Sequence, residues 1–157
     1  MRTILDHAAC LAFIKARKAA EKGEIPVGAV VFDQKRQKIL AAAGNAVETT
    51  CDPTAHAEIL ALKKACRALD TTYLTDCDLY VTLEPCAMCA AAVSFARIRR
   101  LYFGAYDVKS GGVEHGACVY RASSCHHAPE VYGGIGEKRA KALLTGFFAD
   151  LRKGTAP

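Results

Sequence analysis

The chain has 157 residues, of which 52% are apolar and 24% charged, and its formal net charge is +5. This balance excludes a disordered chain, and the length predicts a single domain over residues 1–157. No apolar run approaches the roughly 20 residues of a membrane span, and charged Arg2 and Asp6 interrupt the region where a signal peptide would be apolar, so we expect a cytoplasmic protein without membrane contact.

Hydrophobic spacing predicts helices that alternate with strands. In the first half we expect a helix over about 6–22, strands over 27–32 and 39–43, a polar loop over 45–52, and a helix over about 54–69 capped by Thr54. In the second half we expect a strand over 79–83, a helix from Pro85 to about 96, a strand over 101–104, one short helix within 105–128, a strand over 130–132, and a closing helix. This order predicts a three-layer α/β domain whose first two strands are antiparallel and whose later strands are parallel.

Three residues form a candidate metal site. His56 opens the segment His-Ala-Glu, and Cys86 and Cys89 form a Cys-x-x-Cys pair directly after Pro85. An imidazole and two thiolates are common zinc ligands, and both fragments lie at predicted helix N-termini, where exposed N–H groups favour thiolates. Three ligands leave one position of the zinc tetrahedron for water, whose pKa falls to roughly 7 on zinc so that it becomes a hydroxide nucleophile.

Glu58 is the candidate proton carrier. It lies two residues after His56, and acting as a ligand it would fill the position left for water. We therefore predict that Glu58 takes a proton from the water, delivers it to a ring nitrogen, and protonates the departing ammonia. His-x-Glu followed by Pro-Cys-x-x-Cys is the described signature of zinc-dependent nucleobase deaminases, so the sequence predicts a hydrolytic deaminase with one zinc ion per chain.

The other cysteines are expected to be free thiols, because a chain without an export signal stays in a reducing compartment. Cys51, in the predicted loop before His56, remains an alternative fourth ligand that would close the site. Cys10 and Cys66 lie on apolar helix faces and are expected in the core. The pair His126-His127 is expected at the surface or against the substrate.

The chain resembles the bacterial tRNA-specific adenosine deaminases of the cytidine deaminase-like superfamily over nearly its whole length. The most specific segments are residues 52–59, 80–89, 103–105 and 107–111. The resemblance implies a mixed five-stranded sheet in the order 2-1-3-4-5 with helices on both faces. It also implies that a homodimer hydrolyses the wobble adenosine of a tRNA anticodon to inosine. The alanine-rich stretch 87–96 agrees with a dimer, because it would let another helix approach closely.

The same resemblance assigns six substrate-contacting residues, which are Asn45, Ala57, Val27, Leu83, Asp107 and Lys109. Asn45 would hydrogen-bond the nucleoside, and the N–H of Ala57 would contact the base. Asp107 and Lys109 would lie in the loop that grips the anticodon backbone, and the remaining two would line the pocket. Further candidate RNA contacts are the cations around the closing helix, which are Lys138, Arg139, Lys141, Arg152 and Lys153.

Two other functions stay open. A deaminase of free guanine, cytidine or deoxycytidylate would keep the metal site but close its pocket over a small substrate. A non-catalytic zinc module is the third class, and Glu58 argues against it because a structural site needs no acid beside the metal. The segment 107–111 and the surplus of positive charge favour RNA over a free base.

Overall fold

The computed structural model describes residues 2–154. Its helices are α1 (Ile4–Ala20), α2 (Val47–Thr50), α3 (Ala57–Leu69), α4 (Ala87–Phe95) and α5 (Glu137–Lys153), with a short 3-10 helix at Val119–Arg121. Its strands are β1 (Gly28–Asp33), β2 (Lys38–Gly44), β3 (Cys77–Leu83), β4 (Arg100–Ala105) and β5 (Glu130–Tyr132). Every predicted helix and strand is present, and most bounds differ by only a few residues.

The five strands form one sheet in the order β2-β1-β3-β4-β5. β1 is antiparallel to both β2 and β3, whereas β3, β4 and β5 are parallel to one another. The expected hairpin, the parallel second half and the strand order are therefore confirmed.

Helices cover both faces of the sheet. Along β1, Ala29 and Val31 pack in one apolar cluster with α3 and α4, while Val30 and Phe32 pack in a second cluster with α1 and α5. Because successive side chains of a strand point to opposite faces, a strand covered on both sides is apolar throughout. The three-layer α/β/α architecture is confirmed.

Helix α1 lies directly against the backbone of the sheet. Its buried residues Ala8, Ala12, Ala16 and Ala19 keep that face flat. A Cβ atom added to Gly28 of β1 would lie 1.9 Å from the carbonyl oxygen of Ala12, so only a glycine permits this contact.

One edge of the sheet gathers the ends of four strands. Gly28 pairs with Gly44, and Ala29 pairs with Val81, so β1 begins where β2 and β3 end. β4 ends at the same edge because it is parallel to β3. Active sites of open α/β sheets typically lie where the parallel strands end, so this edge is the expected position of the functional site.

Several local expectations were wrong. Thr54 does not cap α3, because its N–H and hydroxyl donate to Asp52 Oδ1 in a turn and the N-cap residue is His56. Pro85 precedes α4, whose N-cap residue is Cys86 in an extended conformation. The segment 45–52, expected to be a loop, contains helix α2.

Cys10 is exposed and Cys66 is half-buried, so the expected core position was wrong for Cys10. No two cysteines of the described chain, residues 2–154, form a disulfide bond. Within residues 2–154, no helix combines the length and apolar character that a membrane crossing requires.

Candidate functional site

The N-termini of two helices bring the predicted metal ligands together. His56 is the N-cap residue of α3, and Cys86 is the N-cap residue of α4. His56 Nδ1 lies 3.7 Å from Cys86 Sγ and 3.5 Å from Cys89 Sγ. Across residues 2–154, this is the one group of at least three histidine, cysteine or carboxylate side chains whose ligand atoms lie within 4.8 Å of one another. Cys51 is exposed and is not part of it.

The spacing of these atoms fits a tetrahedral zinc ion. Zinc binds thiolate sulfur at about 2.3 Å and histidine nitrogen at about 2.0–2.1 Å, so a tetrahedral angle separates sulfur from nitrogen by about 3.6 Å. The two sulfur–nitrogen distances of 3.7 and 3.5 Å agree with this value. The site could hold zinc with three protein ligands.

The two thiols differ in their tendency to ionise. The pKa of Cys86 is lowered to about 5, first because Cys89 donates a hydrogen bond to its sulfur, and also because backbone N–H groups and His56 favour the thiolate. The Cys86 thiolate and burial raise the pKa of Cys89 instead. One thiolate is thus available without a metal, and a cation at the site would favour the second.

Glu58 lies in the first turn of α3 and is only 4% exposed. Burial raises the pKa of its carboxyl to about 7. A hydrogen bond from the backbone N–H of Glu58 favours the ionised form, but its effect on the pKa is smaller than that of burial. The carboxyl lines the cleft but is not part of the three-residue cluster. A group placed in this way can exchange protons with a molecule held at the cluster.

Asn45 and Ala57 contact each other. The N–H of Ala57, the first helical residue of α3, donates to Asn45 Oδ1 at 2.9 Å. The side chain of Asn45 therefore caps α3 from outside the helix, a role that His56 cannot play while its ring faces the cysteines. The N–H of Ala57 is engaged by Asn45, and the roles of both residues toward a substrate stay predictions.

The cluster opens into a cleft of about 1060 Å³. Five of the six predicted substrate contacts line it, and Ala57 does not. Among the five, Val27 is buried and Lys109 is exposed. Four exposed apolar side chains also line it, which are Ile25, Val108, Phe148 and Leu151. The cleft thus combines the polar groups of the candidate metal site with exposed apolar side chains.

Asp107 and Lys109 lie on one wall of the cleft, which we call the loop wall and define as residues 107–115. Asp107 Oδ1 accepts hydrogen bonds from the N–H groups of Lys109 and Ser110 at 3.2 and 2.9 Å. The carboxylate therefore stabilises the turn that begins at Asp107.

Glu24 also lines the cleft and is 1% exposed. Its carboxylate accepts the N–H and hydroxyl of Thr49 at 2.7 and 2.8 Å. Burial opposes ionisation, but these bonds and the N–H groups of Val47 and Glu48 lower the pKa of Glu24 below its usual value. Glu24 thereby holds α2 at the rim of the cleft.

Sequence reasoning assigned no role to Glu24, Glu84, Tyr106 or Phe148, although all four line the cleft. Glu84 stands directly before Pro-Cys, but nothing in the sequence shows that its carboxylate is buried. The other three residues carry no signal either, because the turn before β1, the residue after β4 and helix α5 reach the cleft only through tertiary contacts. His127 is bonded through its ring to the carbonyl of Ile98 at 2.7 Å, away from the cleft.

Similarity to known proteins agrees with this geometry. A family model described as MafB19-like deaminase matches residues 6–152. A curated tRNA-specific adenosine deaminase of Agrobacterium fabrum is 50% identical over 142 residues, which are 90% of this chain and 92% of that protein. A structure solved in studies of A-to-I editing by tRNA:A34 deaminases at the wobble position has a TM-score of 0.85 and 49% identity, covering 88% of this chain and 99% of the other. A guanine deaminase of Nitrosomonas europaea has a TM-score of 0.77 and 26% identity over 90% of this chain and 83% of its own.

Proposed function

This chain belongs to the family of tRNA-specific adenosine deaminases, and from that premise we propose that it hydrolyses the wobble adenosine of a tRNA anticodon to inosine and ammonia. The observation that carries the proposal is the burial of Glu58 beside the three candidate metal ligands, in an open cleft.

We assign His56, Cys86 and Cys89 as the ligands of one zinc ion per chain. When bound, zinc would supply a water molecule that is acidic near neutral pH. Glu58 would accept one proton from this water and pass it to a nitrogen of the adenine ring. Glu58 would then take a second proton from the hydroxyl added to the ring carbon and pass it to the amino group, so that ammonia leaves as the carbonyl forms. Asn45 presents its amide group to the nucleoside while its oxygen holds the start of α3.

The rim of the cleft supports RNA as the substrate. A loop adenine is already partly unstacked, so drawing it into a pocket costs less than extracting it from a duplex. The flanking bases then need apolar surface to replace their stacking. Ile25, Val108 and Phe148 offer such surface, with exposures of 44%, 73% and 41%. The guanine deaminase relative keeps a free base as the alternative substrate.

The substrate is tested by direct competition. We expect the purified protein to deaminate the wobble adenosine of an anticodon stem-loop much faster than free adenosine, cytidine or guanine at equal concentration. Inosine in the stem-loop and released ammonia are the two readouts. A stem-loop whose wobble position carries guanosine is the matched control and should release no ammonia. Faster turnover of a free base than of the stem-loop would assign the chain to the alternative.

Lys109 is expected to contact an RNA phosphate, because it is exposed on the loop wall at the rim of the cleft. Lys109→Ala should weaken stem-loop binding. The slope of the logarithm of the association constant against the logarithm of the salt concentration should become shallower by about one unit, since one fewer counterion is released. Titrations at several salt concentrations measure this slope. Lys35→Ala, at the opposite edge of the sheet, should leave it unchanged, and equal slopes for wild type and Lys109→Ala would remove Lys109 from the RNA surface.

The cations of α5 divide into two groups. Arg152 lines the cleft and joins Lys109 as a candidate phosphate contact. Arg139 instead stacks over the ring of Phe13 at 4.1 Å, and Lys141 is paired with Glu137 one turn earlier. We therefore assign RNA contacts to the end of α5 that faces the cleft and not to its beginning.

We also propose that the active form is a homodimer. Phe95, the last residue of α4, is 77% exposed, and Ala91 and Ala92 on the same helix are only half-buried. An exposed aromatic ring beside small side chains suits a helix packing against another chain. Sedimentation at micromolar concentration should give the mass of two chains, and Phe95→Ser should shift it toward one chain. A monomer at that concentration for the wild-type protein would contradict the dimer.

A cytoplasmic location and a single domain complete the proposal. Eight cysteines without a disulfide bond suit a reducing compartment. The two apolar clusters share the strands of one sheet, which supports a domain that folds as one unit.

A further inference from the structure

Five hydrogen bonds converge on the carboxylate of Glu84, whose side chain is fully buried. Its Oε2 atom accepts the N–H of Asp107 and the Nδ1–H of His115, both at 2.9 Å. Its Oε1 atom accepts the N–H groups of Val113, Glu114 and His115 at 3.3, 2.9 and 2.9 Å. All five donors belong to the loop wall.

These donors form a binding site for an anion inside the protein. Three consecutive N–H groups, at residues 113–115, point to one oxygen atom and make a concave nest of the kind that binds anions. A buried donor left without an acceptor carries a substantial free-energy penalty. The loop wall therefore depends on a carboxylate at position 84, and no acceptor within the loop replaces it at these N–H groups.

Close packing fixes the loop wall to the same segment. A Cβ atom on Gly111 would lie 2.6 Å from Glu84 Oε1, and one on Gly112 would lie 2.4 Å from the nitrogen of Ala87. The N–H of Gly112 also donates to the carbonyl of Pro85 at 2.8 Å. A side chain at Gly112 would therefore force the loop away from the start of α4, and a side chain at Gly111 would collide with Glu84 and with the carbonyl oxygen of Asp107 in the loop itself.

We propose that Glu84 is a positioning residue. It sets the affinity for the RNA substrate by holding the loop wall at a fixed distance from the candidate metal ligands. Glu84 lies two residues before Cys86, so one short turn carries both a metal ligand and the anchor of the wall. The loop wall in turn carries Lys109 to the rim of the cleft. This inference rests on the proposed function, because it takes the anticodon loop as the molecule that contacts this wall.

The test is Glu84→Gln. Glutamine has nearly the same size but keeps one acceptor oxygen, and its NH₂ group would face N–H donors of the loop wall. We expect KM for the anticodon stem-loop to rise by about tenfold or more, and kcat to change by less than about threefold. Amide hydrogen exchange at residues 107 and 113–115 should accelerate in the protein without RNA. The zinc content should equal that of the wild type.

Asp78→Asn is the matched control. Asp78 is a fully buried carboxylate at the other end of β3, held by Arg99 at 2.8 and 2.7 Å, so its loss perturbs a buried hydrogen-bonded group far from the cleft. Its KM for the stem-loop should stay at the wild-type value. An equal rise of KM in Asp78→Asn would mean that general destabilisation causes the effect and would overturn the proposal.

Three other results would overturn the proposal: a wild-type KM in Glu84→Gln, loss of its zinc, or unchanged amide exchange in the loop wall. If Glu84→Gln does not fold, Glu84→Asp decides, because it keeps the carboxylate but shortens its reach to the loop wall by one methylene group. A raised KM there supports the proposal, and a wild-type KM overturns it. A wild-type enzyme that is inactive on the stem-loop would instead contradict the proposed function, and the exchange measurement would still report whether Glu84 holds the wall.

Discussion

Glu58→Gln is expected to lower the turnover of the anticodon stem-loop by about 10² to 10⁴-fold, the span that a positioned proton carrier usually contributes. Glutamine keeps the size and hydrogen-bonding atoms of the side chain but cannot accept and release a proton. Glu58 is only 4% exposed, so bulk water cannot easily take its place. Single-turnover rates at saturating enzyme measure the chemical step.

The metal content separates this loss from damage to the site. Glu58 is outside the cluster of His56, Cys86 and Cys89, so Glu58→Gln should bind as much zinc as the wild type. Glu48→Gln is a matched control, because it removes the same charge from the rim of the cleft and not from its floor. It should turn over at nearly the wild-type rate. Unchanged turnover of Glu58→Gln would mean that another group carries the proton.

Cys86→Ala and Cys89→Ala are expected to lose both zinc and activity. Each removes one of three ligands, and the two that remain do not complete a zinc site, so bound zinc should fall from about one ion per chain to near zero. Elemental analysis of the purified variants measures this directly. Activity on the stem-loop should fall below detection in both.

Cys51→Ala is the control for these two variants. Cys51 is an exposed thiol that lies outside the cluster, so its removal should leave zinc and activity at the wild-type level. Loss of zinc in Cys51→Ala would reveal a fourth, closing ligand and would turn the centre into a structural one. Full retention of zinc in both Cys86→Ala and Cys89→Ala would contradict the proposed ligand set.

Most of the fold could be predicted because its signals are local. The continuous apolar run of β1 reflects burial on both faces, and the apolar stripe of α5 reflects burial on one. The first residues of the helices could be predicted less accurately than the presence of the helices and strands. Thr54 is a common capping residue, but Asp52 engages its hydroxyl, and Asn45 satisfies the N–H of Ala57 across twelve residues of chain. Caps of this kind depend on tertiary contacts that spacing does not encode.

The candidate site likewise contains residues that could be predicted from the sequence and residues that could not. His56, Cys86 and Cys89 could be predicted because zinc chemistry restricts residue type and spacing within short segments. The anchoring role of Glu84 could not, since its donors lie 23 to 31 residues further along the chain. A glutamate before Pro-Cys looks the same in sequence whether it faces solvent or five N–H groups.

The contact between Gly28 and α1 also limits how sequences of this fold can diverge. A methyl group at position 28 would lie 1.9 Å from the carbonyl oxygen of Ala12, so a substitution there requires that the whole helix move outward. The carbonyl oxygen of Val27, the preceding residue, accepts the N–H of Asn45, so a shifted β1 would also displace two residues that line the cleft. We therefore expect α1, β1 and the turn between them to be inherited together, while exposed residues of α5 that do not line the cleft can vary freely. A chimera that takes α1 from a distant relative should take β1 with it.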